Sequence, residues 1–265
     1  MAKSEHRGNT NESEKENVMP SPWNNFEPEM GILDVDMDGV REYEAQKRGK
    51  EFKIMRKLIP EPFLGNIESA PLLLLGGNPG FHPDDCKWHS GEEFRAAAIE
   101  NLKGNKKGIY LLEARFQESP GAQWWRRRLG CLCKEIARQL GMEDLEKAFK
   151  ILSRGTAIVE QHPYHTKKFS LPKALKCLPS FEFVKEMIEE AVEENRFVII
   201  VRSHKIWKER VRLLNNPERE NIIETRHIQS AYLTPRKFNQ DAEIGYEEIQ
   251  RLAEYLIGVD RRKKG

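Results

Sequence analysis

The chain has 265 residues, and its 44 Lys and Arg against 42 Asp and Glu give a formal net charge of +2. A balance this even gives no bulk attraction to nucleic acid or to a membrane surface. No stretch approaches the ~18 apolar residues of a membrane span, and no apolar signal-peptide core follows the first residues. We therefore expect a soluble, cytoplasmic protein with no membrane partner.

The cysteines indicate free thiols in a reducing compartment. There are four of them, at Cys86, Cys131, Cys133 and Cys177. A metal or iron–sulfur site is the alternative, but Cys131 and Cys133 stand two apart in a predicted helix and point to different sides, and no CxxC pair exists. We expect no metal and no cofactor.

The chain order of predicted elements alternates helices with apolar strands. Residues 1–30 are polar and predict a disordered tail, residues 31–67 a helical extension, residues 68–258 an α/β domain and residues 259–265 a basic tail. Strands are predicted at 72–75, 156–160, 197–201 and 222–225, and helices at 41–58, 92–102, 123–140, 142–152, 181–194, 205–214 (with an N-cap at 202–204) and 242–256. Residues 109–112 are a strand or an insertion.

This alternation is typical of a parallel sheet with helices on both faces. The predicted fold class is α/β: a three-layer α/β/α domain with a central, mainly parallel four-stranded sheet.

The first strand runs into a glycine-rich turn, Gly76-Gly77-Asn78-Pro79-Gly80. Turns at the carboxyl ends of parallel strands are where α/β proteins place their ligands. Two glycines and a proline restrict the turn, so the direction of Asn78 should be fixed. A turn of this composition is also common as mere punctuation between elements.

Three strand-end segments together resemble the uracil-DNA glycosylase superfamily. Gly76-Gly77-Asn78-Pro79-Gly80 is similar to its Gly-x-Asn-Pro-Gly motif, in the form of the mismatch-specific branch. Glu160-Gln161-His162-Pro163-Tyr164 looks like the second-strand segment, which often has Asn-x-x-Pro. Residues 227–233, His-Ile-Gln-Ser-Ala-Tyr-Leu, look like the last motif, in which His/Asn-Pro-Ser precedes a DNA-inserting loop; here Ile and Gln replace Pro-Ser.

The resemblance implies a monofunctional DNA glycosylase, which flips a nucleotide out of the duplex and hydrolyses its N-glycosidic bond. Asn78 would position the attacking water, and His227 would stabilise the departing base. Gly77, Phe81, Glu160 and Gln161 would contact the base, although a core position for Phe81 is equally consistent. Because no lysine stands at position 78, we expect an abasic product rather than a lyase reaction.

The resemblance also implies that DNA is the partner, and we expect the protein to be a monomer. Polar and basic residues follow the predicted strand ends, where phosphates would pass. The predicted DNA contacts are Thr166, Lys167, Lys168, Arg202, Ser203, His204, Gln229, Ser230, Arg236 and Lys237, with Tyr232 and Leu233 as a wedge inserted into the base stack.

Glu160 is the departure that bears on the base. An ionised carboxylate only accepts hydrogen bonds, so it would repel uracil O4 and accept from an exocyclic amino group. This predicts a cytosine-type or modified base, with excision from phage DNA as one possible setting. A register shift to Gln161, or a protonated Glu160, would allow uracil instead.

Two other classes remain open. One is a catalytically inactive DNA-binding module of the same fold, which the altered last motif favours. The other is a nucleotide hydrolase or phosphate-binding enzyme, which lacks the P-loop and dinucleotide fingerprints. Trp124 and Trp125 are predicted to be core residues, with base stacking as the alternative.

Overall fold

The protein is an α/β structure built on one mixed, mostly parallel sheet. The computed structural model describes residues 20–46, 49–226 and 231–263. Its described strands are β1 Phe63–Leu64, β2 Leu72–Leu75, β3 Thr156–Val159, β4 Phe197–Ile200 and β5 Ile222–Glu224. They lie in the order β1-β3-β2-β4-β5. The pairs β2–β3, β2–β4 and β4–β5 are parallel, and β1 pairs with β3 antiparallel.

The four predicted strands are present, each within about two residues of its predicted bounds, but the expected count of four is wrong. The described sheet has a fifth strand, β1, in which only two residues pair with β3. A segment of two residues is too short to show an alternating or a continuous apolar pattern, so the sequence did not indicate this strand.

The helices follow the predicted alternation. They are α1 Met37–Ala45, α2 Asp85–Ser90, α3 Glu92–Leu102, α4 Pro120–Gln139, α5 Leu145–Gly155, α6 Lys173–Lys176, α7 Ser180–Glu193, α8 His204–Arg210, α9 Pro235–Phe238 and α10 Ala242–Arg262. Short 3-10 turns lie at Pro22–Asn25, Asp34–Asp36, Lys50–Phe52, Tyr110–Leu112, Ala114–Phe116 and Arg212–Asn215. Residues 109–112 are therefore not a strand, and the expected helix over 41–58 ends at Ala45.

The core differs from the expected division of the chain at three places. Trp23 is fully buried and, with Phe26, packs in the main hydrophobic core, so these residues are not a disordered tail. The strand β1 joins the sheet although it falls within the predicted extension. The helix α10 continues to Arg262, into the predicted basic tail.

The register brings three strand ends to one edge of the sheet. Leu75 is opposite Val159 on one side and Ile200 on the other. The segments that begin at Gly76, Glu160 and Val201 are therefore neighbours. Among the parallel strands, β2 lies between β3 and β4. The chain passes from β2 to β3 on one side and then crosses to β4 on the other side, so the strand order reverses between β2 and β4. Open α/β sheets bind ligands outside the carboxyl ends at such a switch point.

Within the described ranges, no helix combines the length and the apolar character that crossing a membrane requires.

Candidate active site

The glycine-rich turn after β2 is anchored through its backbone carbonyls. The indole nitrogen of Trp207, buried in α8, donates to the carbonyl of Gly76 over 2.8 Å. The backbone N–H of Gln161 donates to the carbonyl of Gly77 over 2.9 Å. The turn is thus tied to the segments that follow both neighbouring strands.

Two further residues hold the second half of the turn. The backbone N–H of Thr166 donates to the carbonyl of Pro79 over 3.3 Å. The ring nitrogen Nδ1 of His165 lies 2.8 Å from the carbonyl oxygen of Gly80. Anchoring on both sides agrees with the rigid turn that the sequence predicts.

The amide of Asn78 has a defined orientation. Its Nδ2 donates to the carbonyl of Pro79 at 2.7 Å and to Thr166 Oγ1 at 2.8 Å. The Thr166 hydroxyl donates its own hydrogen bond to the carbonyl of Lys168 over 3.0 Å, so it can only accept from Asn78. Asn78 Oδ1 has no hydrogen-bond partner within the described ranges, and the side chain is half-buried. The amide therefore presents an acceptor oxygen beside the turn.

Glu160 lies buried against the first glycine of the turn. A Cβ on Gly76 would stand 2.5 Å from Glu160 Oε2, so this position has no room for a side chain. Glu160 is 6% exposed. Burial raises the pKa of its carboxyl to about 8; the charge of Glu61 acts in the same direction, and Arg202 and the Gly77 backbone oppose it. The carboxyl is therefore mainly protonated at neutral pH.

This protonation limits the argument from an ionised Glu160. A neutral carboxyl has one donor and one acceptor, like an amide, so it can match uracil as well as cytosine. Only above about pH 8 is Glu160 mainly a carboxylate that can accept but not donate.

Gln161 is already engaged. It is fully buried, and its Oε1 accepts from the guanidinium of Arg210 at 2.7 Å. Only its Nε2 remains without a partner in the described part of the chain. The side chain that packs against Gly76 is that of Glu160. This favours the motif alignment in which Glu160, and not Gln161, is the base-contacting residue.

Two aromatic side chains lie beside the turn. Phe81 is half-buried and belongs to neither of the hydrophobic clusters found among the described residues, so a core role is disfavoured. The second is Phe169, which no sequence pattern indicated, and its ring carbon Cδ2 lies 3.6 Å from where a Cβ on Gly77 would stand. Its distance in sequence from the turn gave no signal.

The basic and polar residues that are predicted to contact DNA differ in their exposure. Lys167, Lys168 and Arg236 are exposed, and Arg202, Ser203, His204 and Lys237 are half-buried. Lys168 pairs with Glu51 at 3.6 Å, and His204 Nδ1 lies 3.6 Å from Glu224.

Ser203 does not cap α8 through its side chain. Its backbone is left-handed, with φ of 56°. Such a conformation is strained for a residue other than glycine and is often found at functional sites.

Two predicted DNA contacts are wrong. Thr166 is 1% exposed and orients Asn78 instead of facing a phosphate. Leu233 is fully buried in the main core, and its N–H donates to the carbonyl of Arg128 at 3.0 Å, so it is not a wedge. In both cases a long-range contact, invisible in the local sequence, determines the position.

Tyr232 remains exposed, and it forms one side of a cation–π sandwich. The guanidinium of Arg128 lies 4.7 Å from the Tyr232 ring centre and 3.8 Å from that of Trp124. Burial lowers the pKa of Arg128, and the charges of Arg127 and Arg202 act in the same direction. Trp125 is a core residue, as expected, whereas Trp124 is only partly buried.

The remaining predicted residues, His227, Gln229 and Ser230, lie outside the described residues. The last described residue before them, Arg226, donates its backbone N–H to the carbonyl of Lys237 over 2.8 Å.

One cluster has the composition of a metal site. Potential ligand atoms of Glu61, His89 and His165, all buried, lie within 4.8 Å of one another. The ring nitrogens of His165, however, face the carbonyls of Gly80 and Ile59 at 2.8 and 3.0 Å. His89 Nδ1 accepts from the Ile59 N–H at 3.0 Å. These contacts already engage three of the four ring nitrogens of the two histidines, which favours a structural network under the turn.

No protein-family model, curated protein or solved structure matches this chain.

Proposed function

We propose that the protein is a monofunctional DNA glycosylase, which hydrolyses the N-glycosidic bond of a flipped base and leaves an abasic site. The observation that carries the proposal is the amide of Asn78, fixed at the topological switch point with its acceptor oxygen free among the described residues. The three-layer arrangement of the uracil-DNA glycosylase superfamily is part of the same proposal.

Asn78 would act by position. A neutral amide is not a strong base, so its Oδ1 would accept a hydrogen bond from the attacking water and hold that water in line with the sugar carbon. The sugar develops positive charge in such a reaction, and the amide dipole stabilises it. The departing base would receive its hydrogen bond from His227, as the resemblance implies.

Glu160 would read the base. Its neutral carboxyl can accept from the exocyclic amino group of a cytosine-type base while donating to the ring nitrogen next to it. We propose a cytosine-type or modified base as the substrate. The raised pKa favours uracil as a second candidate, because the same neutral carboxyl can donate to O4 and accept from N3–H.

DNA would pass over the rim formed by the segments that follow β3, β4 and β5. Lys167 and Arg236 are exposed and Arg202 is half-buried, and none of the three has an ion pair among the described residues, so their charge is available to phosphates. Tyr232 is the exposed aromatic residue on this rim, at 37%.

The test is base release from oligonucleotides that differ at one position: uracil, cytosine, hydroxymethylcytosine, a glycosylated cytosine and hypoxanthine. Alkali converts abasic sites to strand breaks. We expect release of one base of this panel by the wild-type protein and none by Asn78→Ala. DNA binding without any release would instead indicate the inactive binding module.

A further inference from the structure

Three consecutive buried residues after β3 carry polar atoms without partners. Within the described part of the chain, these atoms are Glu160 Oε2, Gln161 Nε2 and both ring nitrogens of His162. Buried polar atoms are rarely left unsatisfied in native proteins, and each such atom calls for an explanation. The three residues follow directly on the strand whose end forms the candidate site.

His162 is the least explained of the three. It is 1% exposed, and its ring is parallel to that of Phe169, with 6.2 Å between the ring centres and 7° between the planes. Phe169 in turn lies against Gly77. Burial lowers the pKa of His162 to about 3, so the imidazole is neutral and has one donor and one acceptor unused.

The other two buried histidines in the described part of the chain have backbone partners. His165 has both ring nitrogens against backbone carbonyls, and His89 accepts from a backbone N–H. A histidine that serves only packing is expected to have hydrogen-bond partners of this kind. Where no such partners exist, an apolar aromatic residue would fill the same space without unsatisfied nitrogens. His162 has no partner among the described residues, although its ring is parallel to that of Phe169, which lies beside Gly77 in the glycine-rich turn.

We propose that His162 is a specificity-determining residue, whose imidazole hydrogen-bonds the polar edge of the base that is held beside Glu160 and Phe169. The ligand class is a heteroaromatic ring with a donor and an acceptor on one edge. The inference rests on the proposed glycosylase function, and it adds a reader that the motif resemblance does not assign.

The test compares His162→Phe with Thr156→Val. Phenylalanine keeps the ring that stacks on Phe169 and removes both nitrogens. Thr156 is a matched control: its buried hydroxyl also lacks a described partner, but it lies at the opposite end of β3. Removing an unsatisfied polar group in favour of an apolar one of similar shape is neutral or stabilising. Both variants should therefore melt at or above the wild-type temperature.

Base release should separate the two variants. We expect His162→Phe to lower kcat/KM for the preferred base by about 10- to 100-fold, the range for a lost specific hydrogen bond, with unchanged affinity for an oligonucleotide that already carries an abasic site. Thr156→Val should match the wild type. His162→Gln, which keeps a donor and an acceptor, should change the order of preference among the bases.

The two proposals can fail separately. If the wild type releases a base and His162→Phe and His162→Gln both keep its full rate and its order of preference, His162 is structural and this inference is overturned, while the glycosylase stands. If the wild type releases no base, both proposals are wrong. If His162→Phe unfolds, the preference order of His162→Gln decides the question.

Discussion

Asn78 Nδ2 donates to the hydroxyl of Thr166 over 2.8 Å, between residues that are 88 positions apart. The hydroxyl in turn donates to the carbonyl of Lys168 at 3.0 Å. The chain of donors has one direction, so the amide cannot be flipped without placing Asn78 Oδ1 against the carbonyl of Pro79. Thr166 thereby determines which atom of Asn78 faces the open side of the turn.

Thr166→Val should separate orientation from binding. Valine has the same shape but lacks the hydroxyl that accepts from Asn78, so only the backbone carbonyls of Pro79 and Thr166 hold the amide and the water is positioned less well. We expect kcat to fall by about 10- to 100-fold, the cost of a small misplacement of a catalytic group, with KM unchanged. Thr166→Ser, which keeps the hydroxyl, should retain activity. Steady-state kinetics of the two variants make the comparison, and equal losses in both would refute this role.

Glu160 should make the folded state less stable as the pH rises. Burial raises its pKa from 4.5 to about 8, so between these values the folded chain keeps a proton that the unfolded chain releases. The contribution is fully present below about pH 4.5 and is lost as the pH rises through about 8. Glu160→Gln should flatten this decline, with a gain of a few kcal/mol at pH 9, at about 1.4 kcal/mol per pKa unit.

Urea unfolding at pH 5, 7 and 9 measures this difference. The wild type and Glu160→Gln should be closest in stability at pH 5 and furthest apart at pH 9. Parallel pH profiles for the two proteins would show that Glu160 is not a buried acid with a raised pKa.

The choice of base should depend on pH through the same carboxyl. Below about pH 8 a protonated Glu160 can donate to uracil O4, and above it the carboxylate cannot. We expect the rate of uracil release, relative to that of an amino-bearing base, to fall as the pH rises from 7 to 9. Glu160→Asn, a permanent donor and acceptor, should show no such change, and it should favour uracil more than the wild type does above about pH 8. If the ratio of the two release rates is constant with pH in the wild type, Glu160 does not recognise the base.

Tyr232 and Leu233 are neighbours with opposite expected effects. Leu233→Ala removes a fully buried side chain and should lower the free energy of unfolding by about 2–5 kcal/mol. Tyr232→Ala removes an exposed ring and should leave stability nearly unchanged while it weakens DNA binding. Thermal melting and fluorescence anisotropy measure the two properties. A loss of DNA affinity only in Leu233→Ala, at temperatures where it is folded, would restore the wedge.

The sequence predicted what local patterns determine. Four apolar runs gave the four parallel strands, and β2 was placed at Leu72–Leu75 as observed. The parallel register then necessarily brings Asn78, Glu160 and Arg202 to one edge of the sheet. This part of the candidate site follows from strand order and from the position of polar residues at strand ends.

The sequence could not predict contacts between distant segments. Thr166 was expected to contact a DNA phosphate because it follows a strand end, but its hydroxyl accepts from Asn78 and donates to the carbonyl of Lys168. Leu233 was expected on the surface from its motif, but it packs in the core. The raised pKa of Glu160 depends on burial against Gly76, and composition carries no information on burial.

Mass spectrometry of the intact oligonucleotide is the most direct test of the central claim, that a water held by Asn78 cleaves the N-glycosidic bond. With the preferred substrate, the wild type should yield the free base and an unbroken strand with one abasic site. Asn78→Ala should bind the same duplex and yield neither. Release at the wild-type rate by Asn78→Ala would contradict the mechanism, and a strand of unchanged mass with every base in the panel would contradict the function.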